Sequence, residues 1–410
     1  MVGNRVYLRN LVMAALACLQ PGIEPVFLNL LTAHAGLAPL QHGWVAGSGQ
    51  LGMALGALLC WSVPAMTGRS VALGAGAIGC AATIAMLDAF QLEWIMAART
   101  IMGFSAGILF TRATSAATRA NANHAFGMIL LIQLLLATAV SLALPLVALQ
   151  TSPAFAIGLM ALCPAAICLL LVAEREQGER EQGEWEQANR ITSYSDERVA
   201  IAHRPLAVSV AAILAMFLFI VTTMMIWSYA GALGANMGLD DSSIGLAVAI
   251  GSFSGVLPAL AAARMTVRVA PALTGLACGM AMLTLLAVPA LDMGRAGFIG
   301  AMCFFNIGST FAIIHFSALA VGSQAPAALR RCVAALHCTA MVVGPFAAGS
   351  AVELGGFPGL DLLATLALGV AVAALAFAAH HAPRPAPITS PRRNPMRASG
   401  HFSGAEIALD

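Results

Sequence analysis

The sequence predicts an all-α integral membrane protein with twelve transmembrane helices in two pseudo-symmetric six-helix bundles. Three observations support this fold class. Long apolar runs recur along the chain, roughly every 25 to 35 residues, about as often as membrane-crossing helices joined by short loops would. Only 9% of the residues are charged and 60% are hydrophobic, whereas about a quarter of a soluble protein is charged. The arginines fall mostly in alternate gaps between the runs, as expected of loops on one side of a membrane.

Each apolar run is long enough to form one membrane-crossing helix. A hydrocarbon core about 30 Å thick requires about 20 apolar residues per helix, and a helix satisfies its own backbone polar groups. A membrane β-barrel would show short alternating segments, whereas these runs are continuous. The predicted helices cover residues 8–32, 43–63, 70–88, 92–114, 126–149, 153–173, 206–231, 243–263, 270–290, 297–321, 329–351 and 358–379.

The first run is predicted to stay in the protein as a helix and not to be cleaved as a signal peptide. It contains Glu24 between Pro21 and Pro25, and it has no small-residue cleavage site at a fitting distance. The two prolines should loosen this helix and leave backbone carbonyls free to face a cavity.

Arginine, the only strong cation in a chain without lysine, predicts the orientation of the helices. The N-terminus, the even-numbered gaps and the C-terminal tail contain Arg5, Arg9, Arg69, Arg112, Arg119, Arg264, Arg268, Arg330, Arg331, Arg384, Arg392, Arg393 and Arg397. The odd-numbered gaps are mainly acidic, with Arg295 as an exception. Both termini are therefore predicted to be cytoplasmic, because positively charged loops stay inside.

The sixth gap divides the chain. Residues 174–205 are polar and begin with Glu174-Arg175-Glu176-Gln177-Gly178, which is repeated at 179–183. We interpret this segment as a solvated cytoplasmic linker, with a regulatory docking segment as the alternative. The predicted domains are an N-terminal bundle at 1–173, the linker, a C-terminal bundle at 206–379, and a disordered tail at 380–410 lying along membrane lipid.

The two halves also share a sequence pattern. A shift of 202 positions aligns Gly36-Leu37 with Gly238-Leu239, Gly43 with Gly245, and Gly49 with Gly251. Both stretches run along the second helix of a half, where small residues let neighbouring helices approach closely. Two parallel repeats around a central cavity are typical of secondary transporters.

The fourth helix contains Arg99-Thr100-Ile101-Met102-Gly103-Phe104-Ser105-Ala106-Gly107, and Gly68-Arg69 follows the second helix. With these motifs the chain resembles the major facilitator superfamily of secondary transporters over its whole membrane portion. The resemblance implies that Gly103 and Gly107 pack helices and that Gly68 and Arg69 belong to a cytoplasmic loop motif. Ala65 replaces the aspartate usual in that loop. The fifth helix lacks the Gly-Pro signature of drug/proton antiporters, which favours uptake over export without excluding export.

Glu24 and Arg99 are predicted to form an ion pair. Glu24 lies about 15 residues after Arg9, roughly 22 Å along its helix, and Arg99 lies roughly 9 Å after Glu93 along a helix of opposite direction. The two depths nearly coincide, and the resemblance implies that both helices line the cavity. We predict that Glu24 accepts a proton in a manner controlled by Arg99. A purely structural brace is the alternative.

His315 and His337 form a second candidate pair, in the inner halves of the tenth and eleventh helices. Because histidine titrates near neutrality, the two side chains are a possible proton relay. The alternative is a neutral imidazole bonded to a backbone carbonyl or to Ser317. No carboxylate or thiolate cluster accompanies the pair at ligand spacing, so no metal site is predicted.

The remaining cavity candidates are uncharged. They are Gln20, Asn29, Gln50, Gln133, Trp227, Tyr229, Phe253, Phe304, Phe305 and Asn306. Amides among aromatic rings suit a small substrate with a flat or apolar body and one polar or anionic group, for which Arg99 is the available cation. Two alternatives stay open: the amides simply join helices, and Trp227 and Tyr229 belong to an interfacial aromatic belt.

No enzymatic motif is present. The nine cysteines are scattered along apolar helices, and the sequence lacks a Walker loop, a zinc-type His-Glu-x-x-His motif, a Gly-x-Ser-x-Gly elbow and any nucleic-acid motif. We therefore predict no cofactor and no nucleic-acid partner. The prediction is a monomeric secondary active transporter of the inner (cytoplasmic) membrane that takes up a small organic molecule, an organic acid or an aromatic compound, with protons. Efflux of a drug or metabolite is the alternative, and a non-transporting membrane sensor is a third reading.

Overall fold

A computed structural model describes residues 2–117, 122–173, 206–264, 270–321 and 327–381. These residues form α-helices joined by short turns and 3₁₀ segments. The helices are α1 (Val2–Ala17), α2 (Leu19–Ala35), α3 (His42–Ser62), α4 (Arg69–Ala85), α5 (Leu92–Ala117), α6 (Ala122–Gln150), α7 (Pro153–Gly158), α8 (Leu162–Ala173), α9 (Leu206–Asn236), α10 (Asp241–Ser254), α11 (Val256–Arg264), α12 (Pro271–Ala287), α13 (Gly294–Val321) and α14 (Ala327–His381). The predicted linker at 174–205 and the tail beyond residue 381 lie outside the described residues.

Within this part of the chain, ten helical stretches are long and apolar enough to cross a membrane. The first stretch combines α1 and α2, and α12 is a shorter apolar helix. The long α14 consists of two helices that meet at Gly356, whose backbone is non-helical with φ 62°. A positive φ at this position is accessible to glycine without steric cost. With ten helical stretches that can each cross a membrane, the chain is a multi-pass membrane protein.

The first membrane stretch is broken at Cys18, between α1 and α2. The carbonyl of Cys18 accepts a hydrogen bond from Gln133 Nε2 at 2.8 Å. Pro25 has no N–H, so the carbonyl of Pro21 loses its partner one turn further on. Trp227 Nε1 donates to this carbonyl at 2.6 Å. The loosening expected from the prolines thus creates a bond between α2 and α9.

Helices α3 and α5 pack backbone against backbone. A Cβ added to Gly103 would lie 2.0 Å from the carbonyl oxygen of Gly49, and one added to Gly107 would lie 2.2 Å from that of Met53. Only hydrogen fits in this space. Small residues four positions apart allow such close helix packing in membranes, and this close packing sets the position of Arg99 relative to α3.

The glycines of the repeat pattern make equivalent contacts in the two halves. A Cβ on Gly43 of α3 would lie 2.5 Å from the carbonyl oxygen of Pro345 in α14, and one on Gly245 of α10 would lie 2.8 Å from that of Ser141 in α6. Both contacts join the N-terminal helices (α1–α8) to the C-terminal helices (α9–α14). The seams of α3 with α14 and of α6 with α10 therefore use corresponding positions of the repeat.

Two large buried cores divide the N-terminal helices along their length, and a small third cluster joins Leu134 of α6 to Val256 and Ala259 of α11. The larger core includes Leu31 and Val45 and continues through the C-terminal helices to Leu233 and Ile244. The smaller core consists of residues of α1, α3, α4, α5, α6 and α8 together with Cys18, which lies between α1 and α2. The larger core joins the halves at the end where α2 finishes and α3 begins, which we call the arginine-poor end. At the arginine-rich end, where α1 and α4 begin, the N-terminal helices have a core of their own.

The predicted loop motif is bound to the end of α8. Arg69 Nε donates to the carbonyl of Leu171 at 2.9 Å, and Arg69 Nη2 donates to that of Val172 at 3.4 Å. A cation at a helix C-terminus is favourable because unpaired carbonyls and the helix dipole place negative charge there. Arg112 donates to the carbonyl of Thr67 in the same loop. Arg69 and Arg112 thus both bind backbone carbonyls.

Candidate functional site

The site is built around an ion pair between α2 and α5. Arg99 Nη2 lies 2.5 Å from Glu24 Oε1, and the two side chains are 1% and 0% exposed. Placing one charge at the centre of a membrane helix costs about 2.5–3.5 kcal/mol even on insertion scales. Each side chain therefore requires the other at this depth, and the contact expected from their similar depths is formed.

The guanidinium of Arg99 is held from three sides. Its Nε donates to the carbonyl of Val45 at 3.5 Å, and its Cζ lies 5.0 Å from the centre of the Phe27 ring. A cation at this distance from an aromatic face is attracted by the ring quadrupole. A Cβ on Gly49 would lie 2.7 Å from Nη2, so the guanidinium occupies space that only glycine leaves free.

Part of the hydrogen-bonding capacity of the site is unused. Arg99 Nη1, Glu24 Oε2 and Gln20 Nε2 are buried, and none of these atoms has a hydrogen-bond partner in the structure. A buried polar group without a partner costs about 1–3 kcal/mol, and more when it is charged. The site therefore keeps two donor atoms, Arg99 Nη1 and Gln20 Nε2, and one acceptor atom, Glu24 Oε2, without hydrogen-bond partners.

A narrow cavity of about 20 Å³, room for about one water molecule, adjoins Arg99. It is lined by Ala17, Gln20, Pro21, Gly49, Gln50, Met53, Arg99, Gly103 and Ala106. The polar groups in this lining are two amides and the guanidinium, and Gln50 is 4% exposed. Among the uncharged residues proposed from the sequence, Gln20 and Gln50 thus lie beside the cation.

Trp227 and Tyr229 lie in the interface between the two halves. Trp227 is 6% exposed and stacks on Phe305, with ring centroids 5.8 Å apart and planes 3° apart. The hydroxyl of Tyr229, which is fully buried, donates to the carbonyl of Leu40 at 2.9 Å. The alternative interpretation of these rings as an interfacial belt is wrong, because both are enclosed by protein.

Three other amides bind protein groups. Asn29 Nδ2 donates to Asp241 Oδ1 at 3.4 Å, linking α2 to α10. Asn306 Nδ2 donates to the carbonyl of Met302 in its own helix at 2.9 Å. Gln133 supports the break in the first membrane stretch. The expectation that amides join helices therefore fits Asn29 and Gln133.

The last two aromatic candidates lie on the surface of the described structure. Phe253 is 58% exposed and Phe304 is 59% exposed, and neither lines the cavity beside Arg99. Large exposed apolar side chains on membrane-crossing helices suit contact with lipid tails.

His315 is surrounded by aromatic rings. It stacks on Phe311 at 5.6 Å and contacts Phe316 edge-on at 5.5 Å. Its Nε2 and the hydroxyl of Ser317 are both buried without a partner, so these two groups do not bind each other. Within the described residues, no ring contact or hydrogen bond joins His315 to His337. The proposed relay between them stays a prediction.

Asp240, outside the membrane stretches, is a fixed charge at the start of α10. The hydroxyls of Ser242 and Ser243 donate to its carboxylate. These bonds hold the pKa of Asp240 below its usual value. Asp240 is therefore ionised at neutral pH and places a negative charge at the N-terminus of α10, where the helix dipole favours it.

The residues that sequence reasoning missed are the supports of Arg99. Phe27 follows Glu24 by three positions, so both side chains lie on one face of α2, and this spacing was a usable signal. Val45 contributes a carbonyl, which no side-chain pattern reveals. Gly49 belonged to the repeat pattern, but its role beside the guanidinium depends on the closeness of α3 and α5.

No family model and no curated protein matches this sequence. Solved structures match it closely in fold. The POT family transporter PepTSo has a TM-score of 0.64 at 13% identity, covering 92% of this chain and 97% of that one. A peptide transporter POT in complex with alafosfalin has a TM-score of 0.66 at 12% identity, covering 93% and 96%. The nucleoside transporter NupG has a TM-score of 0.63 at 13% identity, covering 92% and 99%. The chain therefore has the fold of the major facilitator superfamily of membrane transporters.

Proposed function

We propose that this protein is a secondary active transporter that takes up a small organic molecule together with protons. The observation that carries the proposal is the buried pair of Glu24 and Arg99, which has unused hydrogen-bonding atoms and borders a cavity. Ionisable groups at membrane depth are expensive, so they mark sites of function. The fold, shared with peptide and nucleoside transporters, supports the same class of activity.

The helix count supports the twelve-helix arrangement. The pairs α1 and α2, α7 and α8, and α10 and α11 each make one crossing, α14 makes two on either side of Gly356, and the other helices make one each. We propose two bundles, at 1–173 and 206–379, joined by the linker at 174–205. We propose that the protein is a monomer in the inner membrane. Both termini then lie in the cytoplasm, because the arginine-rich end faces inward.

The two buried cores support alternating access between the bundles. The larger core joins both halves at the arginine-poor end, whereas the smaller core belongs to the N-terminal helices alone. This arrangement corresponds to a transporter closed toward the outside. The bundles would reach the opposite state by rocking about the central site, as in transporters built from repeats.

The ion pair supplies the coupling. A proton that binds Glu24 removes the negative charge that holds Arg99, and Arg99 then has a free charge to offer a substrate. Conversely, a substrate that binds Arg99 weakens the attraction that keeps Glu24 ionised. Proton and substrate therefore favour each other's binding, and the effect is reciprocal.

Uptake into vesicles tests this function. We would reconstitute the full chain, impose a pH difference, and measure accumulation of a panel of organic acids and aromatic compounds. We expect accumulation that follows the pH difference and that Glu24→Gln abolishes. Glu93→Gln, a change at an exposed glutamate, is the matched control. Accumulation by Glu24→Gln with unchanged dependence on the pH difference eliminates Glu24 as the coupling residue.

A further inference from the structure

The cavity beside the ion pair is lined by hydrogen-bond donors that have no partner among the described residues. Arg99, 1% exposed, lines the cavity and its Nη1 has no partner, and the same holds for Nε2 of Gln20. Two N–H donors, one of them charged, suit the two oxygens of a carboxylate, and such charge-assisted bonds are the strong ones. Gln50 adds a second amide to the lining.

The net charge of the buried site limits what can bind there. Empty, the site contains one negative charge on Glu24 and one positive charge on Arg99, and it is neutral. A bound monocarboxylate would give a net charge of minus one, which is costly at this depth. One proton on Glu24 restores neutrality. The free Oε2 atom of Glu24 is available to take that proton.

We propose that the substrate is a monoanionic carboxylate, that its carboxylate binds Arg99 and Gln20 in this cavity, and that one proton accompanies it. This inference rests on the proposed function and names its substrate class. A hydronium ion gives its proton to Glu24: one of its O–H bonds breaks, an O–H bond forms on the carboxyl group, and water is left. The hydrogen bond between Glu24 and Arg99 breaks, and the substrate oxygens accept hydrogen bonds from Arg99 and Gln20.

Other substrate classes fit the site less well. A cation would face the guanidinium of Arg99 directly. A dianion would require two protons, and the pair contains one carboxylate. A neutral substrate would leave the ion pair intact, so the site would stay neutral without binding a proton.

The stoichiometry has a measurable consequence. A monocarboxylate and a proton cross together with no net charge, so the membrane potential does no work on the loaded carrier. The pH difference alone drives accumulation, about tenfold for each pH unit.

Formate is the smallest probe of the carboxylate site, and it suits a narrow cavity. We would add sodium formate at neutral pH to the purified full chain in weakly buffered detergent solution. Thermal stabilisation reports binding, and a pH indicator dye counts protons. We expect formate to stabilise the protein and formamide not to do so, with about one proton taken up per bound formate.

Variants assign the binding to named atoms. Gln20→Leu removes one donor and should weaken formate binding about tenfold, while Gln91→Leu, a change at an exposed glutamine, should leave binding unchanged. Arg99→Lys should lose binding, with Arg295→Lys at an exposed arginine as its control. Glu24→Gln should still bind formate but take up no proton. If Arg99→Lys fails to fold, Gln20→Leu and Glu24→Gln still test whether formate binds at this site and whether Glu24 takes up the proton.

Three results would overturn the inference: no stabilisation by formate at 100 mM, binding without proton uptake by the unchanged protein, or equal stabilisation by formamide. None of them removes the proposed function, since vesicle uptake of another class of compound driven by the pH difference would leave that function intact. Conversely, formate binding with proton uptake and no transport of any compound would support the site and reject the transporter.

Discussion

Removing one member of the buried ion pair should destabilise the protein far more than removing both. At 2.5 Å, opposite unit charges attract by about 7 kcal/mol at an effective dielectric constant of about 20. Desolvation of the two ions, several kcal/mol each, offsets most of this attraction. The pair itself thus contributes little net stability, but a single remaining charge has no compensation. We expect Arg99→Met to cost about 3–5 kcal/mol.

A double-mutant cycle measures this coupling. The variants are Arg99→Met, Glu24→Met and the two combined, and the assay is unfolding in mixed detergent micelles, with Glu93→Met as a surface control. The combined variant should be within about 1–2 kcal/mol of the unchanged protein, because apolar replacement of a whole buried pair is often tolerated. A single variant as stable as the unchanged protein would refute the reasoning.

The same variants separate the two interpretations of the pair. If Glu24 and Arg99 only brace α2 against α5, the combined variant restores both stability and transport. If they couple a proton to a substrate, the combined variant folds and does not transport. Vesicle uptake by a combined variant of proven stability therefore decides between a brace and a coupling device.

Two further changes test the packing around the site. Gly103→Ala would place a Cβ 2.0 Å from the carbonyl oxygen of Gly49. The two helices would have to separate, which should lower the free energy of unfolding by about 1–3 kcal/mol in a thermal unfolding assay. The control is Gly74→Ala, whose Cβ would meet nothing within 4 Å and which should be neutral or slightly stabilising. Trp227→Phe keeps a ring but loses the 2.6 Å hydrogen bond to the carbonyl of Pro21, leaving a buried acceptor unpaired at a cost of about 1–3 kcal/mol. An unchanged melting temperature for Trp227→Phe would show that water or another donor takes that carbonyl.

Much of the membrane fold followed from the sequence because hydrocarbon imposes simple requirements. Helix length, low charge and arginine placement respond to the bilayer directly, so the apolar runs could be located without tertiary knowledge. The approach of Glu24 to Arg99 followed from their similar depths together with the family resemblance, which implied that both helices line the cavity.

The uses of the amides could not be predicted in the same way. Gln20 and Gln133 are the same residue type on membrane helices, yet one has a free donor beside a cavity and the other binds the carbonyl of Cys18. The difference depends on which carbonyls a break in a neighbouring helix exposes. A loosened helix was expected at Pro21 and Pro25, but the break lies at Cys18, whose carbonyl binds Gln133 of α6.

At two points the seams that join the halves have a glycine in place of a side chain. Gly43 lies directly on the backbone of α14, and Gly245 lies on the carbonyl of Ser141 and the ring of Pro145 in α6. Neither contact therefore involves a flexible side chain with several rotamers. Such a contact can part and form again in the same register without reordering of side chains. Under the proposed alternating access, these glycine contacts are points at which the two halves would separate and meet again.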